Sequence, residues 1–417
     1  MPGMTNRRTT LRVLLAVSSS LPALSAAPAP GDDWPQWLGP DRSGVSKETG
    51  WRATFGPEGP KRLWKANVGI GYSCLAVRGG RLYTLGNTGG ADTLYCLDAK
   101  TGREVWKHTY TCSPTAPRDW VKLYAGTRST PAAAGQSVYS FSRDGRLFCL
   151  AAEGGKLRWS VDCRKPPINA KVPTWGFACS PLVLGARVIL DVGTVVALDK
   201  DTGKLAWRSR AYQAAYSSPV ALALAGRGCI ATLNGNGLAV VDGADGSEVM
   251  LYPFSLLLVE NCVTPIVAGD RCFISAGDRS GSAVVRLAKN APVEVWRNSN
   301  MLNLSTNSVL WQGHLYGFHG SALGAKSFRC IEFATGTRNW STRSVRQGAL
   351  TLADGKLIAI GGSGELVIAD ATPKGFKPLR RAKVLAGMCW TAPVLANGRI
   401  YCRSAQGDLV CLDVSGK

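Results

Sequence analysis

Leu94 to Trp106 reads L-Y-C-L-D-A-K-T-G-R-E-V-W. It is a short apolar strand, a turn opened by an acid and closed by a glycine, and a second short strand ending in tryptophan. The chain repeats this wording. L-F-C-L-A-A-E-G-G-K-L-R-W ends at Trp159, V-V-A-L-D-K-D-T-G-K-L-A-W at Trp207, and R-C-I-E-F-A-T-G-T-R-N-W at Trp340. L-V-C-L-D-V-S-G-K ends at Lys417. A unit copied this often decides the architecture, because one copy cannot bury its apolar face alone and neighbouring copies must stack.

The residue types explain the unit. The acids after the strand (Asp98, Asp199, Asp242, Glu332, Asp370 and Asp413) can accept bonds from free backbone amides in the turn. Glycine a few residues on (Gly102, Gly203, Gly246, Gly336, Gly416) suits a left-handed backbone position. Tryptophan gives an outer strand enough apolar area to adhere to its neighbours. Acids that recur once per repeat serve the turn rather than a metal or an acid/base pair.

Around this hairpin lies a four-strand grammar. The units run from Tyr72 to Trp106, Arg128 to Trp159, Phe177 to Trp207, Tyr216 to about Tyr252, Cys262 to Trp296 and Ser305 to Trp340. A seventh, from Gln347 to about Phe376, has no tryptophan, and an eighth, from Trp390 to Asp413, has only three strands. A spacing of roughly 40–50 residues with four strands per unit predicts a β-propeller. The fold expected is all-β, with eight four-stranded antiparallel blades. K-R-L-W-K-A, from Lys61 to Ala66, is an orphan outer strand that completes the last blade and closes the ring. Closure removes the unpaired faces an open stack would expose.

The chain starts differently. Arg7, Arg8 and Arg12 precede an apolar stretch from Leu11 to Leu24, and Ser25-Ala26-Ala27 offers small residues for cleavage. Residues 1–26 therefore read as a signal peptide, of Sec or twin-arginine type, and the protein as exported, periplasmic or extracellular. No stretch is long and apolar enough for a transmembrane helix. Residues 27–60 form an irregular segment rich in Trp, Pro and Gly, containing W-P-Q-W-L-G-P-D-R-S-G-V from Trp34 to Val45. It is expected to be pinned to a surface by its rings. Residues 61–417 are the propeller, expected to be a monomer.

The 417 residues carry a formal net charge of +21. Such a surface favours anionic partners. No lysine/arginine run and no aromatic–basic motif of an RNA binder is present, so nucleic acid is not an expected partner. Of the thirteen cysteines, Cys96, Cys149, Cys330 and Cys411 share a slot that Ala197 fills elsewhere, the mark of small core residues. Cys112 and Cys163, in loops after their tryptophans, are the better disulfide candidates. Of the histidines, His108, His314 and His319, none sits in a motif with a nucleophile or a second ligand.

The hairpin L-Y-C-L-D-A-K-T-G-R-E-V-W resembles the repeat of the pyrroloquinoline-quinone-like (PQQ-like) β-propellers. The opening W-P-Q-W-L-G-P and the strand starts Y-S-S-P-V (Tyr216 to Val220) and W-T-A-P-V (Trp390 to Val394) are similar to the same family. The resemblance spans nearly the whole chain after the leader and implies an eight-bladed propeller of the quinoprotein dehydrogenase-like type. It implies two functions. One is a non-catalytic binding or assembly scaffold at the bacterial cell envelope, as in the propellers that assist outer-membrane protein assembly. The other is a PQQ-dependent dehydrogenase acting with calcium on alcohols or aldose sugars. Those dehydrogenases carry an adjacent cysteine pair and a calcium-ligating Glu/Asn/Asp set. This chain has no Cys-Cys dipeptide, and that ligand set finds no counterpart in it. The scaffold reading, with no cofactor and no catalytic or metal residue, is the one taken forward.

The innermost strand of each blade starts at one mouth of the central channel. The residues there are Tyr72, Arg128, Ala178, Tyr216, Cys262, Ser305, Gln347 and Trp390, with Trp175 just ahead of the third strand and Asn307 in the sixth. Tyr72, Arg128, Trp175, Tyr216, Asn307, Gln347 and Trp390 form the candidate ligand ring. Aromatic faces, an arginine and amides suit a planar or sugar-like anionic ligand, or an envelope protein. The competing reading is that these rings plug the channel as core.

Overall fold

Each copy of the repeat becomes one sheet. The computed structural model describes residues 33–112, 125–254, 261–277, 280–288, 291–320 and 324–416; the expected signal peptide lies outside them. The first sheet is a meander of Ala76–Arg78, Arg81–Thr88, Ala91–Asp98 and Glu104–Thr111. Six more follow with the same order, their innermost strands starting at Ala132, Leu182, Val220, Ile266, Val309 and Ala349. In the eighth, Val394–Ala396, Arg399–Arg403 and Asp408–Asp413 are completed by Arg62–Asn67, with Trp64 opposite Cys411. The ring thus closes as the orphan strand predicts.

Middle strands are apolar on both faces because each sheet is covered by two others. Tyr83, Leu94, Cys96 and Trp106 of the first sheet pack with Val138, Phe148 and Leu150 of the second. Within a sheet, the cysteine slot faces the tryptophan across the outer pair: Cys96 opposite Trp106, Cys149 opposite Trp159, Cys330 opposite Trp340. A small residue there lets the indole lie over it onto an inner aromatic, as with Tyr83 and Trp106 at a centroid distance of 5.9 Å. Burial pushes the Cys96 and Cys330 thiols up to about 12. Cys112 and Cys163, the disulfide candidates, are instead separate thiols buried in different clusters, because each follows its own sheet's outer strand into a different seam.

The tryptophan also ties one sheet to the next. Trp106 Nε1 donates to Ala152 O at 2.9 Å, Trp159 to Lys200 O at 3.1 Å, Trp207 to Gly243 O at 3.1 Å, Trp296 to Phe333 O at 2.9 Å and Trp340 to Thr372 O at 2.9 Å. Trp64 donates to Ala99 O at 3.2 Å, so the joint between the last sheet and the first uses the same device. The repeat's glycine makes room for it: Gly102 has φ +72°, and a Cβ there would stand 2.6 Å from the Trp64 ring. Asp98 holds the turn, accepting from Lys100 N at 3.1 Å and Thr101 N at 2.8 Å.

Two seams lack the lock. Met250 fills the tryptophan slot of the fourth sheet and Arg380 that of the seventh. The seventh outer strand is therefore Pro378–Lys383, beyond the end near Phe376 expected from sequence. The marker residue was missing, so its register could not be read.

The segment from Asp33 to Glu48 corrects a second expectation: it lies inside the ring, not on a surface. Trp34, 1% exposed, exchanges both backbone bonds with Val77 of the first sheet. Pro35 O accepts from Ala133 N at 2.8 Å, in the second sheet. Arg42 reaches the third and fourth, Trp37 Nε1 donates to Thr264 Oγ1 of the fifth at 2.9 Å, and Gly44 lies against Val309 of the sixth. Val45–Ser46 pairs in parallel with Leu352 and Ala353, a fifth strand on the inner edge of the seventh sheet. Ser46 Oγ donates to Leu395 O of the eighth at 3.4 Å. One short irregular stretch thus touches all eight sheets at the axis.

Candidate functional site

The sheets lean on each other around the axis through a belt two residues below each strand start. Cys74 N donates to Thr130 Oγ1 at 3.0 Å, Thr130 N to Ser180 Oγ at 2.9 Å, and Ser180 N to Ser218 Oγ at 2.9 Å. Thr264 N donates to Asn307 Oδ1 at 3.3 Å, and Asn307 Nδ2 returns a bond to Thr264 O at 2.8 Å. At these four seams an amide near a strand start is met by the side chain of the next sheet, as buried backbone donors require. The belt divides the bore into two ends.

One end is sealed by the Asp33–Glu48 segment. Its charge is Arg42, 4% exposed. Arg42 Nη1 donates to Pro219 O at 2.7 Å, and Nη2 to Ser180 O at 3.2 Å and to Pro181 O. Its Nε donates to Gln36 Oε1 at 3.2 Å. Burial lowers the guanidinium to about 10, so it stays charged at neutral pH.

The other end carries the predicted ring. Tyr72 and Trp390 stack at a centroid distance of 6.0 Å, joining the first and eighth sheets. The Arg128 guanidinium stands 6.0 Å above the Trp175 ring, within reach of a cation–π contact. Trp175 N donates to Tyr216 Oη at 3.3 Å. Gln347 and Trp390 both border Gly362, where an added Cβ would lie 2.2 Å from Gln347 O and 3.7 Å from Trp390 Nε1. Tyr72, Arg128, Trp175, Tyr216, Gln347 and Trp390 therefore converge on one end. Asn307 does not join them: it is 6% exposed and belongs to the belt.

The sequence reading missed Arg143. It sits in the Ser142–Gly145 hairpin turn, 4% exposed, and its Nε has no hydrogen-bond partner among the described residues. Burial lowers the Arg128 pKa, and the neighbouring Arg143 charge lowers it further. The only sequence signal was a charged residue in a turn beside the ring, which resembles any solvated turn. Two guanidiniums placed together in a low-dielectric setting raise the local affinity for an anion.

A calcium-bound quinone needs carboxylate and amide donors, and none of the residues placed at the ringed end above is a carboxylate. Among the described residues, no three His, Cys, Asp or Glu side chains gather to hold a cation. The cations of the ringed end are arginines, which suit a carboxylate or phosphate but not a metal. Two surface grooves lie elsewhere. One, of about 500 Å³, lies between the first and second sheets beside Asp33 and Arg78, and the other, of about 660 Å³, along the seventh outer strand.

The model of a family described as outer membrane protein assembly factor BamB matches residues 48–119 and 111–342. BamB of Burkholderia pseudomallei is 26% identical over 180 residues, 36% of this chain and 45% of that protein. Quinohemoprotein alcohol dehydrogenase ADH IIB of Pseudomonas putida is 31% identical over 120 residues, 27% of this chain and 16% of that protein. The chain thus spans less than half the length of the relatives it matches. Among solved structures, quinohemoprotein alcohol dehydrogenase from Comamonas testosteroni superposes with a TM-score of 0.67 at 14% identity, covering 93% of this chain and 81% of that one. BamB from Moraxella catarrhalis superposes with a TM-score of 0.60 at 18% identity, covering 85% and 97%. The fold is common to both branches.

Proposed function

The chain belongs to the PQQ-like propeller family described as outer membrane protein assembly factor BamB, and from this premise we propose that it is an exported, non-catalytic binding or assembly scaffold of the cell envelope. Capture takes place at the ringed end of the bore. The observation that carries this reading is the asymmetry of the two ends. One is filled by the chain's own Asp33–Glu48 segment. The other gathers Tyr72, Arg128, Trp175, Tyr216 and Trp390 from different sheets, with Arg143 behind them. Aromatic faces beside guanidiniums suit a planar or sugar-like anion, or the carboxylates of a partner protein. Among the described residues no helix is long and apolar enough to cross a membrane.

The dehydrogenase reading shares the fold, but fold alone carries no activity. The arginines of the ringed end, where a calcium-bound cofactor would need carboxylates, weigh against it.

The test pairs Arg128→Ala with Trp390→Ala. Partners captured by the wild-type protein from solubilised envelopes, quantified by mass spectrometry, should be lost on the double variant, while its melting temperature stays within about 2 °C of wild type. A double variant that unfolds would make the ring core, and one that retains its partners would place capture elsewhere. Saturable binding of PQQ with calcium, accompanied by dye reduction on alcohols or aldoses, would overturn the scaffold reading.

A further inference from the structure

The seventh sheet is the exception on the rim. Its outer strand, Pro378–Lys383, carries Arg380, Arg381 and Lys383, and no other outer strand holds three cations. Together, Arg338 to Arg346 and Lys374 to Lys383 hold eight lysines and arginines and no acid. Arg338, Arg343, Arg346, Lys374, Lys377, Arg380 and Lys383 are exposed. Arg381 bonds Glu365 at 2.8 Å and Ser344 O at 3.0 Å. Its tie to Ser344 joins the two basic stretches into one surface.

Between these stretches runs the groove of about 660 Å³, lined by Thr342, Ser344, Phe376, Pro378, Leu379 and the two arginines. Its floor is aromatic: Phe376 stands against Phe328 and Trp340 at centroid distances of 5.3 and 5.5 Å. Among the described residues the strand beside it pairs on one side only, with Glu365–Asp370. Its far side presents a row of backbone donors and acceptors, the template to which extended chains add. No tryptophan pins this strand to the next sheet; Arg380 instead donates to Phe55 O at 2.8 Å.

We propose that the outer edge of the seventh sheet docks an extended acidic peptide segment of a partner protein as an added strand. Backbone bonds to Pro378–Lys383 supply its register. Phe376 and Leu379 take its apolar side chains, and the surrounding cations take its carboxylates. A lipid surface or a polysaccharide would meet the cations but has no amides to continue the sheet. This surface lies along the outer edge of the seventh sheet, with Arg346 at its border with the ringed end, and does not depend on capture there.

The probe is a fluorescein-labelled peptide of about ten residues alternating glutamate and valine, followed by anisotropy at low salt. It should bind the wild-type protein, and binding should weaken roughly tenfold or more for the variant carrying Arg343→Glu, Lys374→Glu and Lys377→Glu. Those side chains are exposed, so the fold should survive; Lys377→Glu alone, losing severalfold, is the milder version if it does not. Three reversals on the first sheet's rim, at Lys100, Arg103 and Lys107, should leave affinity unchanged, as should Arg128→Ala with Trp390→Ala. Peptide N-methylated at alternate residues, in either register, should bind roughly tenfold less tightly in at least one register. Equal binding to the reversed and wild-type proteins would overturn the proposal. So would indifference to N-methylation in both registers, which would reduce the surface to a general polyanion binder. Binding to phosphatidylglycerol vesicles without binding to the peptide would overturn it in favour of lipid.

Discussion

Arginine stands at both ends of the bore, in opposite settings. At the sealed end, Arg42 is surrounded by carbonyls of the third and fourth sheets and by Gln36. At the ringed end, Arg128 lies beside a second guanidinium, Arg143. Carbonyl dipoles offset the cost of taking a charge out of water; a neighbouring like charge adds to it. The first arrangement ties the ring together. The second also has a carbonyl, Gly126 O, which accepts from Arg128 Nη1 at 3.3 Å, but it sets the like charge of Arg143 beside the guanidinium. Arg403 extends the contrast. It is fully buried at the closing seam and donates to Ser73 O at 2.8 Å, Leu85 O at 2.6 Å and Gly69 O at 3.1 Å. A buried arginine here is structural when carbonyls enclose it.

The contrast is broken most directly by removing the charge at each end in turn. Arg42→Met leaves carbonyls of two sheets without their donor and should cost about 3–5 kcal/mol in urea unfolding. Arg128→Ala should cost less than about 1 kcal/mol. If both variants unfold at the same urea concentration, the two ends do not differ as described.

A smaller effect concerns the loops of the ringed end. His319, 8% exposed, accepts a bond from Leu302 N at 3.1 Å on Nδ1. Burial, with Arg329 and Arg338 nearby, lowers its imidazole to about 4. In the unfolded chain it titrates near about 6.5. Between these values the unfolded chain takes up a proton that the folded chain refuses. This part of the stability is therefore complete above about 6.5 and is lost as pH falls toward 4. His319→Asn should flatten the fall in melting temperature across that window, and an unchanged slope would assign the acid sensitivity to other groups.

The smallest effect sharpens the account of the sealed end. Lys47 and Asp41 form a salt bridge of 2.8 Å with side chains 62% and 57% exposed. Lys47→Ala should shift stability by less than about 0.5 kcal/mol, because solvent screens the pair. A larger loss would mean that surface charge, rather than contacts in the bore, holds the segment in place.

What the chain determined by itself is whatever it repeats. The hairpin from Leu94 to Trp106, copied along the chain, specified eight sheets, the small slot under each tryptophan and the turn chemistry of Asp98. Trp64 could be assigned to the last sheet because a strand was missing there. These are local patterns, legible because aligned copies expose what each position must do. Where the pattern lapsed, legibility lapsed with it: Arg380 in a tryptophan slot hid the seventh outer strand until the sheet itself showed its register. Only the tertiary structure decided the course of the Trp34–Glu48 segment, which occurs once and has no copy to be compared with. The same holds for the approach of Arg143 to Arg128 and for the withdrawal of Asn307 into the belt. Those depend on which strand starts face each other across the axis, and sequence distance carries no trace of it.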